Sequence, residues 1–176
     1  MATSSRHGAR ATAYAVPMAA DSALDAADIR ILRALQRDAS RSIADVAREA
    51  GMSQTAAWRR IRRLKENGAI RAIVALVDRD KVGLSFVAYA FVKLGLPSRK
   101  NMENFDRLVN LWPEVLLCER ITGAADYLLK VITEDIESYD RFLRLKLLDN
   151  ELVTDVQSRI VVATIKDTPA LPIDEP

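Results

Sequence analysis

The sequence predicts an α+β chain in which a small all-helical unit precedes a domain of mixed strands and helices. Three observations carry this. Apolar residues recur at helical spacing over 24–68, and from residue 69 the pattern changes to runs rich in Val, Ile and aromatic side chains. Within the helical part, two helical patterns are separated by a tight turn at Gly51-Met52. Beyond residue 84 the order of elements is strand, helix, strand, strand, helix, strand.

The first helix is expected to start at Leu24-Asp25. Asp25 can cap it, Asp28 sits in its first turn, and Ile29, Leu32 and Leu35 follow at helical spacing to an end near Arg37-Asp38. Both acids suit the positive end of the helix dipole. Ser42 is the N-cap of the second helix, whose apolar face is Ile43, Val46, Ala47 and Ala50. Gly51 takes the position after the helix, where positive φ costs least. Ser53 caps the third helix, and Gly68, preceded by Asn67, ends it.

On the third helix, at about 100° per residue, Ala57, Ile61 and Leu64 fall within a narrow arc that must face the other two helices. The opposite side carries Thr55, Arg59 and Arg62, with Gln54 and Trp58 toward one flank and Arg63 toward the other. Arg60 lies at the core edge, where its stem can pack and its head reach outward. Over 51–68 five positive side chains (Arg59, Arg60, Arg62, Arg63, Lys65) stand against one negative, Glu66, while the whole chain is only +2. An ordinary solvated face alternates sign to gain ion pairs. One sign on the side left free by the core arc points to a polyanion, double-stranded DNA. Trp58 has two readings, cover for the edge of the small core or a contact to DNA.

The run 69–77 reads as a strand leaving the helical unit, and 78–83 as a turn. Strands are then expected at 84–94, 115–122, 127–132 and 153–165, and helices at 102–111 and 136–148. This is the split βαβ order of a ferredoxin-like βαββαβ domain, a four-stranded sheet with helices on one face. The other face would expose Val- and Leu-rich surface, so two copies are expected to pack sheet on sheet. The boundaries are therefore 1–23 for a disordered extension, 24–68 for the helix-turn-helix unit and 69–83 for the link. The ferredoxin-like domain takes 84–168 and a disordered tail 169–176. Met18 could be the natural start of translation.

Several functions are excluded by composition. With one histidine, His7, and one cysteine, Cys118, there is no metal-ligand cluster and no Cys-His or Ser-His nucleophile pair. Hence no metal, no cofactor and no enzyme is expected. A lone cysteine fits a reducing, cytoplasmic setting, and Cys118 reads as a buried strand residue. No apolar run approaches the roughly 18 residues of a membrane span, and 1–20 lacks the apolar core of a signal peptide.

Four stretches together resemble the leucine-responsive and asparagine-type (Lrp/AsnC) regulators of bacteria and archaea. They are Leu24-Asp25-Ala26-Ala27-Asp28-Ile29-Arg30-Ile31-Leu32; the helix-turn-helix with Ile43-Ala44-Asp45-Val46-Ala47, Gly51-Met52-Ser53, Ile61-Arg62-Arg63-Leu64 and Gly68-Ala69-Ile70; the link with Asp78 and Gly83; and Thr122-Gly123-Ala124-Ala125-Asp126-Tyr127-Leu128-Leu129. The resemblance spans about residues 24–168. It implies a winged-type helix-turn-helix joined by a strand to an effector-binding and oligomerisation domain. It also implies homodimers that assemble into tetramers, octamers or larger forms, with amino acids bound between dimers. DNA contacts would come from Ser53, Gln54, Thr55, Trp58, Arg59, Arg62 and Arg63. An effector, an amino acid or related metabolite, would lie at Gly123, Ala125 and Asp126, with Gly123 leaving room for the ligand backbone and Asp126 pairing with its ammonium group. Many family members carry a charged or polar residue and then an aromatic where this chain has Ala124 and Ala125, which makes a roomier, less polar turn. A hairpin turn with a structural acid is the plainer reading of 123–126. Two alternatives to a sequence-specific regulator remain. One is an architectural DNA-binding protein of low specificity. The other is a siroheme decarboxylase of the same fold, for which the chain lacks pocket histidines.

Overall fold

Residues 24–174 are described by a computed structural model, so the extension expected over 1–23 and the last two residues of the tail lie outside the described residues. The chain divides into two units, one formed by 24–76 with 165–174 and the other by Val77–Thr164.

The first unit has three helices: α1 (Ala26–Arg37), α2 (Ile43–Glu49) and α3 (Gln54–Glu66). Each begins where the local chemistry says it should. The Asp25 carboxylate accepts from the Asp28 N–H at 2.8 Å, and Asp28 returns the contact to the Asp25 N–H, a reciprocal capping box. Ser42 and Ser53 cap the next two helices. Between α2 and α3, Gly51 adopts φ 68°. Its N–H donates to the Arg48 carbonyl and that of Met52 to the Ala47 carbonyl, at 3.2 and 3.0 Å. This Schellman pairing satisfies the last carbonyls of α2 and turns the chain sharply into α3. Ile31, Ala34, Val46, Ala50 and Leu64 form the buried centre, with Leu32, Leu35, Met52, Ile61 and Ile70 packed around it.

Residues 69–77 form no strand, and the sheet of β1–β4 does not include them. The expected linking strand is therefore an unpaired segment, and the helical unit carries no paired wing among the described residues. Ile73, Val74, Leu76 and Val77 are all exposed.

The second unit contains β1 (Phe86–Leu94), α4 (Arg99–Val109), β2 (Val115–Arg120), β3 (Tyr127–Thr133), α5 (Ile136–Phe142) and β4 (Val153–Ile160). The sheet order is β2-β3-β1-β4 with every pairing antiparallel, the ferredoxin-like arrangement. Ala88, Ala90, Val92 and Leu94 of β1 alternate onto the helix-covered face with Tyr127, Leu129 and Val131 of β3. Phe105, Trp112 and Phe142 close the core above them, with ring centroids 6.0 and 5.8 Å apart in edge-to-face contacts.

Several expectations change here. The helix at 136–148 becomes π-helical over Leu143–Leu148, and the last strand stops at Ile160. The uncovered sheet face is mixed, not Val- and Leu-rich. Register places Tyr89, Phe91 and Lys93 beside Lys130, Asp155, Gln157 and Arg159; of the aliphatic residues there, Val87 and Ile132 are buried, Leu128 is half-buried and Leu117 is exposed. Cys118 is exposed, on the edge strand β2. The tail, expected to be disordered, carries one defined contact: the Leu171 backbone exchanges two hydrogen bonds with the Gln36 amide of α1.

Candidate nucleic-acid interface and effector turn

The local sequence of α3 separates its two sides cleanly. Ala57 and Leu64 are fully buried, while Gln54, Thr55, Trp58, Arg59 and Arg62 are exposed on the outer side. Ser53 spends its hydroxyl on the Ala56 N–H, 3.3 Å away, so its role here is to start the helix. Trp58 is half exposed and does not fill the core edge; the Arg62 guanidinium lies 5.8 Å from its ring centroid. Arg62 also pairs with Glu66 at 2.7 Å, both side chains being largely in solvent. Arg59 and Lys65 make no ion pair among the described residues.

The other two arginines of α3 turn away from that surface. Arg60 reaches Asp25 at 2.6 Å and Asp28 at 2.9 Å, and Arg63 pairs with the second oxygen of Asp28. Asp28 is fully buried. The sequence places Arg63 on a flank of the DNA side; in the folded unit its guanidinium is engaged by α1. The Arg60 hydrogen bond, followed by the Asp28 N–H, holds the Asp25 carboxyl below its ordinary range. Local pattern identified Asp25 as the cap and placed Asp28 in the first turn. Their pairing with the arginines of α3 has no local sign in the sequence.

In the second unit, Gly123 has φ 117° with open space where a side chain would point, and Ala124 beside it is exposed. Ala125 is half-buried. Asp126 is held on all sides. Its carboxylate accepts from the Leu94 N–H at 2.8 Å and lies 3.6 Å from the Lys93 ammonium. Its N–H donates to the Val92 carbonyl and its carbonyl accepts from the Ile121 N–H. The acid thus pins the β2–β3 turn to the end of β1. Two open grooves of this unit lie on the helices, one along α5 and one between α4 and the π-helical turn, and neither is lined by 123–126. Beneath α4, the Tyr127 hydroxyl donates to Asp106 at 2.9 Å, and Arg120 pairs with the other Asp106 oxygen. Burial, then this hydrogen bond, pushes the Tyr127 hydroxyl above its ordinary value. That triad joins residues from three elements, so no local pattern in the sequence marks it.

Among the described residues there is no group of His, Cys, Asp and Glu that could hold a metal ion, and no helix is long and apolar enough to cross a membrane. Residues 24–65 match the AsnC-type helix-turn-helix domain, and residues 87–171 match the Lrp/AsnC ligand binding domain. The transcriptional regulator AzlB of Bacillus subtilis is 37% identical over 86% of this chain and 97% of its own length. The DNA-binding transcriptional activator DecR of Escherichia coli is 33% identical over 86% of this chain and 99% of its own. Among solved structures, a transcriptional regulator from Neisseria meningitidis in complex with L-Met superposes with a TM-score of 0.81 at 33% identity, covering 85% of this chain and 97% of that one. With its helix-turn-helix unit followed by a ferredoxin-like ligand-binding domain, this chain belongs to the Lrp/AsnC family of transcriptional regulators.

Proposed function

We propose that the protein acts as a homodimer or larger assembly, reads a specific DNA site through α3, and is modulated by an amino acid bound at the 123–126 turn. The exposed outer side of α3 carries the first part. Gln54, Thr55 and Arg59 lie in its N-terminal half, where side chains reach base edges in the major groove, and Arg can take guanine in bidentate fashion. Arg62 supplies phosphate contact, and Trp58 adds an amphipathic plate beside it. Two such helices in a dimer would address half-sites about one turn of duplex apart. The activity is binding and regulation, without catalysis.

For the effector, the support is the ligand-binding domain itself and the similar Neisseria protein in complex with L-Met. In this reading a second copy packs against the turn and encloses the ligand. Because Asp126 already holds the Leu94 N–H, its Lys93-facing oxygen is the one left to meet an ammonium group. Lys93 would compete for it. The test is a thermal-shift panel of the twenty amino acids, since a ligand that binds only the folded state raises its melting temperature. At a hundredfold excess over Kd the stabilisation would be about 2.7 kcal/mol. The expected result is a shift with one chemical class, lost in Asp126→Asn, which keeps an acceptor for Leu94. A flat panel would count against an amino-acid effector.

A further inference from the structure

The ion pairs on α3 are of two kinds, and they differ in how readily a phosphate could break them. The Arg62–Glu66 pair joins two side chains that are 64% and 61% exposed. Such a pair is worth little in water, and a DNA phosphate can replace the Glu66 carboxylate at small cost. The pairs to Asp28 are different. The Asp28 side chain is only 1% exposed, and its two oxygens are divided between Arg60 and Arg63. Pulling Arg63 toward a phosphate would leave a buried carboxylate with fewer donors, which is strongly unfavourable. The Arg63 side chain is nevertheless 52% exposed, so sequence and surface alike present it as free for DNA.

We infer that Asp28 is a positioning residue for DNA recognition, which withholds Arg63 and Arg60 from the phosphate backbone and leaves Arg62 to make the phosphate contact while Arg59 reads bases. This rests on α3 being the DNA-facing helix. By neutralising the inner arginines, Asp28 lowers the sequence-independent attraction of the helix while fixing its seat on α1. Specific contacts at Gln54, Thr55 and Arg59 then make up a larger share of binding. Asp25 assists on Arg60 only, to which it donates no proton and from which it accepts a hydrogen bond.

Counterion release gives a readout that a purely structural role would not move, because the slope of log affinity against log salt counts the phosphates neutralised. The full chain would be titrated with a random-sequence duplex of about 30 base pairs across a salt series. Arg62→Ala should lower the slope by about one phosphate per bound subunit, and Arg63→Ala should leave it unchanged. Asp28→Asn, similar in shape but uncharged, should raise the slope by about one, and adding Arg63→Ala to it should bring the slope back. If Arg63→Ala lowers the slope as Arg62→Ala does, or Asp28→Asn leaves it where it was, the inference is overturned while the reading of α3 stands. If Arg62→Ala also has no effect, both fall. Should Asp28→Asn fail to fold, Arg63→Ala decides alone.

Discussion

At Asp25 a single carboxylate serves as helix cap and as acceptor for Arg60, and both contacts favour its charged form. Its pKa is lowered in the folded state. It therefore contributes stability above the ordinary value of 3.8, and that contribution is lost as pH falls through the lower folded value. Asp25→Asn should flatten the acid limb of the stability curve below about pH 4 in urea titrations; an unchanged limb would assign acid sensitivity elsewhere. Tyr127 has the opposite sign, since its raised pKa favours the folded state at pH values below 10 and the benefit disappears at higher pH. Gly51 is a simpler case. Space for a methyl group is open, so Gly51→Ala meets only the backbone cost of φ 68°, about 1–2 kcal/mol, readable as a lowered denaturation midpoint. Gly51 and the capping acids were legible in the sequence because their roles depend on neighbours three or four positions away. The Asp28–Arg63 pair spans 35 positions and leaves no trace in local periodicity.

Elements were legible where cap, face and stop agreed. The α3 boundaries follow from Ser53 before it, the Ala57/Ile61/Leu64 arc along it and Gly68 after it. Ser53→Ala should cost about 1 kcal/mol and weaken DNA binding in proportion to unfolding of the unit; a stability loss without effect on binding would show the cap to be independent of the reading surface. The run 69–77 misled because β-branched residues record a preference for extended backbone, and a strand needs a partner as well. Its apolar side chains stay exposed in one chain. The same limit explains Cys118: a strand pattern shows alternation but does not say which strand is an edge. For the effector turn, Gly123 and Asp126 could be picked out from the sequence. That Asp126 is engaged by Leu94 and Lys93 could not, since both partners come from β1.

For the whole molecule, the family follows from the sequence and is matched over both units, while the proposed mechanism requires two copies. Exposed Ile73, Val74, Leu76 and Val77 are a contiguous apolar segment that a second copy would cover. A dimer also supplies the paired α3 helices that a two-fold DNA site requires. An architectural binder would use the same basic helix, so bare affinity does not separate the two, but the ratio of specific to random DNA does. The most direct measurement takes a duplex selected by the protein from a random pool and compares its Kd with that of a scrambled duplex at about 150 mM salt, for the native chain and for Arg59→Ala. The expected native ratio is about a thousandfold or more, falling by about 5–150-fold in the variant, which corresponds to roughly 1–3 kcal/mol of base discrimination. A native ratio near one, or a ratio that Arg59→Ala leaves intact, would contradict sequence reading by α3.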